Sequence, residues 1–119
     1  VIDCLPNMAA GSVASRTEPL VRQLRSARPK TPIVLVEDRT FANAWLIPGQ
    51  RQHHAASRAA LRAAYERLKS AGVPGLHYVE GERLLGDDNE ATVDASHPTD
   101  LGMLRMAEAL EPVLAPLVR

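Results

Sequence analysis

The run Thr31-Pro-Ile-Val-Leu-Val-Glu37 is the feature that most limits the folds open to this chain. Its apolar residues, from Ile33 to Val36, are consecutive and do not alternate with polar ones. Such a run is typical of a strand in a parallel sheet covered on both faces, because a strand with one solvated face alternates instead. The run therefore predicts a buried parallel sheet.

The remaining segments alternate between short apolar runs and longer amphipathic ones. Val1–Leu5 and Gly75–Gly81 read as two more strands, and helical spacing predicts helices over about 18–27, 54–70 and 99–117. We expect loops over 6–15, 38–50 and 86–98. Strands that alternate with helices imply parallel pairing through right-handed crossovers. The sequence thus predicts an α/β sandwich whose strands lie in chain order.

Composition excludes several classes of function. The 119 residues are 45% hydrophobic and 24% charged, which fits one globular domain with its own core. Basic and acidic residues number 14 each, so no excess of positive charge favours a nucleic-acid partner. No apolar run approaches the roughly 18 residues of a membrane span. Cys4 is the one cysteine, which excludes an intramolecular disulfide and a cysteine-based zinc site.

The chain opens directly on the apolar segment Val1–Leu5, without an initiator methionine or a polar lead-in. Three strands also make a thin parallel sheet, since such sheets are usually covered on both faces and contain more neighbours. We therefore expect that the first strands of the domain are absent from this sequence.

Several polar side chains follow the predicted strands. Asn7 comes after the first strand, Glu37 and Asp38 after the second, and the third leads to Asp94 and His97. Open parallel sheets bind ligands beyond the carboxyl ends of their strands, so these groups are expected at one edge.

The stretch Asp94-Ala-Ser-His97-Pro98-Thr99 places an acid and an imidazole three residues apart before a helix. A carboxylate that accepts a hydrogen bond from one imidazole nitrogen leaves the other free to take a proton. Pro98 disfavours helical torsions at His97 and suits a helix entrance. The alternative is that Asp94 merely ends a loop and His97 is a surface residue before a Thr99 cap.

The block from Asp94 to Gly102 resembles the last block of the SGNH hydrolases, the GDSL-type esterases and lipases, in which Asp-x-x-His is followed by Pro and a helix. Leu5-Pro-Asn7-Met is similar to a variant of the block that carries that family's oxyanion-hole Asn. The resemblance implies that residues 1–119 are the C-terminal part of one flavodoxin-like three-layer α/β/α domain without its nucleophile segment.

For function, the resemblance implies a serine esterase, acylhydrolase or acyltransferase that needs no cofactor or metal. His97 would be the general base, Asp94 would orient it, and Asn7 would donate to the oxyanion. The nucleophilic Ser is expected upstream of Val1, so the chain alone should be inactive. The partners expected are a small-molecule or carbohydrate ester and the missing N-terminal segment. A non-catalytic α/β binding or interaction module stays the alternative.

Three other groups of residues have simpler interpretations. His53 and His54 are adjacent and point about a hundred degrees apart on a helix, so solvated helix-entry residues are favoured over metal ligands. The segment 87–90 lacks the alternation of a calcium loop and is expected to be a solvated acidic loop. Phe41 and Trp45 are expected to cover core, with an acyl or sugar pocket as the alternative.

Overall fold

The computed structural model describes residues 1–118. The elements in chain order are a 3₁₀ turn Leu5–Asn7, helix α1 Ala10–Ala27, strand β1 Ile33–Val36, helix α2 Pro48–Ser70, strand β2 Leu76–Val79, helix α3 Asp100–Leu114 and a 3₁₀ turn Ala115–Leu117. No helix among residues 1–118 is long and apolar enough to cross a membrane.

Strand β1 is the centre of a small parallel sheet. It pairs with β2 so that Ile33 lies opposite Leu76 and Val36 opposite Val79. On its other side, the Ile2 N–H donates to the Val34 carbonyl at 2.8 Å and the Ile2 carbonyl accepts from the Val36 N–H at 3.0 Å. These contacts confirm the predicted parallel α/β fold with its strands in chain order.

The first predicted strand was too long. Only Ile2 of the segment Val1–Leu5 forms a bridge, with Leu35, and Leu5 already begins a 3₁₀ turn. Pro6 explains the early end, because proline has no N–H to donate to a ladder and its fixed φ suits the start of a turn.

Two helices begin earlier than predicted. Helix α1 starts at Ala10, inside the segment expected to be a loop, and its first turns bury Val13. Helix α2 starts at Pro48 instead of near His54. Proline suits the first turn of a helix, where its missing N–H would have no intrahelical partner. The loop after β1 is therefore shorter than predicted.

Helices cover both faces of the sheet, as the unbroken apolar run predicted. Ile33 and Leu35 face the side of α1 and α2, whereas Val34 and Val36 face α3. The first cluster contains buried Leu5, Val13, Val21, Ile33, Leu35, Leu61 and Leu68, and the second contains buried Val34, Val36, Val79 and Leu84. All four residues of β1 are buried, because both faces are packed.

The start of α3 is held against the preceding loop. The Thr99 hydroxyl accepts a hydrogen bond from the Gly102 N–H at 3.2 Å, so Thr99 is the N-cap of α3. The Thr99 N–H in turn donates to the Ala91 carbonyl at 3.0 Å. These contacts place residues 93–98 beside the entrance of α3.

Candidate functional site

Asp94 and His97 form one compact turn. An Asp94 carboxylate oxygen, Oδ2, lies 2.7 Å from Nδ1 of His97. The other oxygen, Oδ1, accepts hydrogen bonds from the N–H groups of Ser96, at 3.0 Å, and His97, at 2.8 Å. An ionised carboxylate can only accept, so Nδ1 carries the hydrogen in this contact. Nε2 of His97 is then the ring atom that can accept a proton.

The same hydrogen bonds keep Asp94 ionised. The backbone N–H of His97, its side chain and the N–H of Ser96 together lower the pKa of Asp94 to about 2. The pair is nevertheless open to solvent, with the His97 side chain 72% and the Asp94 side chain 53% exposed. A charged carboxylate therefore orients an imidazole that an incoming group can reach.

The turn between the two residues is strained and is held from outside. Ala95 has a φ of +72°, a left-handed conformation that costs a residue other than glycine about 1–3 kcal/mol. The Ala95 carbonyl accepts a hydrogen bond from the Ala42 N–H at 2.8 Å. Arg39 donates from Nε to the Ser96 carbonyl at 2.6 Å and from Nη2 to the Ser96 hydroxyl at 3.3 Å. The loop after β1 thus contacts the turn directly.

Asn7 is the last residue of the first 3₁₀ turn and is exposed. Its backbone N–H donates to the Cys4 carbonyl at 3.2 Å. The turn follows Ile2, which runs parallel to β1, so Asn7 comes after the carboxyl end of the paired segment. Its role as an oxyanion donor stays a prediction.

A second Asp–His pair, which sequence reasoning missed, lies in the interior. Asp38 and His54 are 0% and 3% exposed, and Nδ1 of His54 is 2.9 Å from Oδ2 of Asp38. The Phe41 N–H donates to Nε2 of His54 at 3.2 Å, so both ring nitrogens have partners. The expectation that His54 is a solvated helix-entry residue was wrong. The signal was present, because His54 continues the buried stripe of Ser57 and Leu61 once α2 is extended to Pro48.

The buried pair organises the segment that follows β1. Nε and Nη2 of Arg58 donate to the Asp38 carbonyl at 2.9 and 2.7 Å, and Nη2 also donates to the Thr40 hydroxyl at 2.8 Å. Both ring nitrogens of His54 and the guanidinium of Arg58 therefore hold residues 38–41 in place.

Glu37, another polar residue expected at the carboxyl edge of the sheet, makes structural hydrogen bonds. Its carboxylate accepts from the Tyr78 hydroxyl at 2.7 Å and from the Gly81 N–H at 2.9 Å. Burial is the main cause that raises the pKa of the Tyr78 hydroxyl, and the hydrogen bond to Glu37 raises it further. The hydroxyl therefore stays protonated. Glu37 thus ties the carboxyl end of β1 to the segment after β2.

A cleft of about 450 Å³ opens at the same edge. Its lining residues come from the segment after β1, the first turns of α2 and the loop after β2, and they are Thr40, Phe41, Ala42, Ala44, Trp45, Arg51, His54, Ala55, Arg58, Glu82, Gly86, Asp87 and Asn89. The expectation that Trp45 covers core was wrong, since Trp45 is 70% exposed. Phe41 packs edge-on against His54 at 4.6 Å between ring centroids.

The acidic loop is anchored at one residue. Both oxygens of Asp88 accept from the Arg105 guanidinium at 2.6 Å, and the Asp88 pKa is lowered mainly by that contact. Within residues 1–118, no group of three His, Cys, Asp or Glu side chains converges as a metal site would require. The loop thus contributes a surface ion pair with α3.

Comparison with known proteins agrees with this architecture. The GDSL-like lipase/acylhydrolase family profile matches residues 1–115. A crystal structure from Bacteroides ovatus ATCC 8483, assigned as a GDSL-like lipase, superposes with a TM-score of 0.92 at 29% identity over 98% of this chain. The salicylyl-acyltransferase SsfX3 from a tetracycline biosynthetic pathway superposes with a TM-score of 0.72 at 22% identity over 91% of this chain, which shows a shared fold.

The chain spans about a third of each of these solved proteins, 34% and 33% of their lengths. A comparison with curated protein sequences found no significant match. The family profile nevertheless extends over almost the whole sequence, from Val1 to position 115. This chain therefore belongs to the GDSL-like lipase/acylhydrolase family.

Proposed function

We propose that this chain supplies the acid–base half of a serine ester hydrolase or acyltransferase. The observation that carries the proposal is the exposed imidazole of His97, whose Nδ1 lies 2.7 Å from the Asp94 carboxylate and whose Nε2 is left to accept a proton. Membership of the GDSL-like family supports the same chemistry.

The proposed reaction begins when a Ser hydroxyl attacks the carbonyl carbon of an ester. The hydroxyl proton passes to Nε2 of His97, and the carboxylate of Asp94 stabilises the resulting imidazolium. The amide of Asn7 donates to the tetrahedral oxyanion. Collapse returns the proton from His97 to the departing alcohol, and water or another acceptor then takes the acyl group by the reverse proton transfers.

The nucleophile in this proposal is a Ser outside the 119 residues. Ser96 stands between the two dyad residues, but its hydroxyl faces the Arg39 guanidinium at 3.3 Å. Ser57 is buried and donates to the His54 carbonyl at 3.3 Å. These contacts argue against Ser96 and Ser57 as the nucleophile, which agrees with the proposed external Ser and with an isolated chain that is inactive towards esters.

A serine-directed fluorophosphonate tests the proposal in the complete protein. We expect labelling of a Ser upstream of this chain, loss of labelling and turnover in His97→Ala, and no effect in the control His53→Ala, whose imidazole is also partly exposed. Asn7→Ala should lower turnover by roughly two to three powers of ten, as for other single oxyanion donors.

Two results contradict the proposal. Full turnover in His97→Ala would remove the dyad from the reaction and favour a non-catalytic binding module. Efficient, phosphonate-sensitive ester hydrolysis by the isolated chain would show that the nucleophile lies within it.

A further inference from the structure

We propose that Arg39 is a positioning residue for the Asp94–His97 dyad: its guanidinium holds the strained turn that sets the direction of the His97 imidazole. This inference rests on the proposed function, because it concerns the same reaction. It assigns to Arg39 a role at the site without contact with substrate.

The first observation is that the Arg39 side chain donates hydrogen bonds to Ser96. Nε donates to the Ser96 carbonyl at 2.6 Å, and Nη2 lies 3.3 Å from the Ser96 hydroxyl, so one guanidinium contacts both oxygens of the residue. The Ser96 N–H donates at the same time to Oδ1 of Asp94. The peptide group between Ser96 and His97 is therefore held at both of its polar atoms. Its carbonyl, from Ser96, accepts from Arg39, and its N–H, from His97, donates to Asp94.

The second observation is the strain of the neighbouring residue. Ala95 keeps a φ of +72°, and surrounding contacts must maintain such a conformation in a residue other than glycine. Those contacts come from the loop after β1: Arg39 holds the Ser96 carbonyl and the Ala42 N–H holds the Ala95 carbonyl at 2.8 Å. Without Arg39, this turn loses the side-chain hydrogen bonds that reach it from the loop after β1.

The third observation is that the backbone on either side of Arg39 is held in place. The preceding residue, Asp38, is fully buried and bonded to His54, while Arg58 clamps the Asp38 carbonyl and the following Thr40 hydroxyl. Arg39 thus extends from a segment anchored on both sides. The buried pair of Asp38 and His54 therefore supports the dyad indirectly, because it fixes the backbone next to Arg39.

The exposure of the dyad makes this restraint important. With side chains 72% and 53% exposed, His97 and Asp94 have little packing to fix their directions. Catalytic rates fall by as much as about a hundredfold when a reacting group is displaced by roughly 1 Å. Loss of Arg39 should therefore slow the chemical step and leave substrate binding in place.

The test compares Arg39→Met with Arg25→Met in the complete protein. Arg25 is a matched control because it also donates to loop carbonyls, those of Thr31 and Pro74, but before the strands begin. We expect R39M to lower kcat about tenfold to a hundredfold with KM within about threefold of wild type. R25M should lower the melting temperature at least as much without this loss of kcat. The rate of fluorophosphonate labelling should fall in R39M in parallel with kcat.

A conservative variant keeps the proposal testable if R39M does not fold. Arg39→Lys retains the charge but reaches Ser96 from one nitrogen, so we expect a smaller loss of kcat than in R39M. Wild-type kcat in either variant, or a loss confined to KM, overturns the inference. His97→Ala is measured alongside: an active H97A contradicts the proposed function itself, whereas an inactive H97A with a fully active R39M contradicts only the role of Arg39.

Discussion

Two Asp–His pairs in this chain have nearly the same contact in different surroundings. The distances from Nδ1 to the carboxylate are 2.7 Å for His97 and 2.9 Å for His54. The difference is the second ring nitrogen, because Nε2 of buried His54 accepts the Phe41 N–H, whereas Nε2 of exposed His97 is open to accept a proton from an incoming hydroxyl group. At the scale of single residues, the free nitrogen and not the pairing distinguishes a candidate base from a structural histidine.

The acid behaviour of Asp94 gives a prediction at this scale. Its pKa in the folded chain is about 2, below the ordinary value of 3.8, because the turn donates hydrogen bonds to the ionised carboxylate. A carboxyl group with a lowered pKa stabilises the fold above its ordinary pKa, and the contribution disappears as pH falls through the folded value. The turn should therefore hold at pH 4 and loosen towards pH 2. Carbon-13 NMR of the Asp94 carboxyl group and the His97 amide signal report this directly.

Asp94→Asn is the control for that titration. It should abolish the carboxyl signal and remove the acid inflection of the His97 amide over the same range of pH. A midpoint near 3.8 for Asp94 would contradict the hydrogen bonding described for the turn.

At the scale of elements, the entrance of α3 depends on a close backbone approach. A Cβ at Gly102 would overlap the Ala91 carbonyl oxygen and lie 2.8 Å from Cβ of Pro98. Glycine at this position therefore allows the third residue of α3 to press against the loop that leads into the dyad turn. The helix end and the site share one packing contact.

Gly102→Ala should separate the helix from that loop. We expect it to lower the free energy of unfolding by about 1–3 kcal/mol through overpacking. Gly11→Ala and Gly49→Ala are matched controls, because each lies in the first turn of a helix with open space around it. They should be neutral or stabilising by up to about 1 kcal/mol, since alanine is the better helix former. Urea unfolding measures all three, and equal effects would refute the close contact at Gly102.

At the scale of the whole molecule, the cleft depends on segments that the fold brings together from distant parts of the chain. Ala42, on its wall, also donates its N–H to Ala95 in the dyad turn, so the cleft and the turn share one loop. A volume of about 450 Å³ falls in the range of small-molecule sites. Under the proposed function, this cleft is expected to receive part of the ester substrate.

Trp45→Ala tests the cleft. Trp45 lines it and is 70% exposed, and an aromatic contact of about 0.5–1.5 kcal/mol corresponds to a rise in KM of roughly twofold to tenfold. The control is Leu46→Ala, because Leu46 is 65% exposed yet is not among the cleft residues. Steady-state kinetics of the complete protein should show the rise in the first variant only. Equal KM values would exclude Trp45 from substrate binding.

Much of the architecture could be predicted because it is local. The unbroken run Ile33–Val36 indicated a strand buried on both faces, and helical spacing located the later turns of α1 and α2. The errors lay at the ends of elements. Pro6 ended the first strand and Pro48 began α2, where apolar periodicity carries no signal and turn chemistry decides.

The sequence by itself determined the order of the elements, the buried character of β1 and the short-range spacing of Asp94 and His97. Only the tertiary structure decided that Arg39 would contact Ser96, 57 positions away, and that Asp38 would be the partner of the His54 imidazole. Hydrophobic periodicity and helix capping depend on residues a few positions apart, so they can be recognised in the sequence. Contacts across the carboxyl edge depend on how crossovers and strand register bring distant loops together, and no local pattern encodes that arrangement.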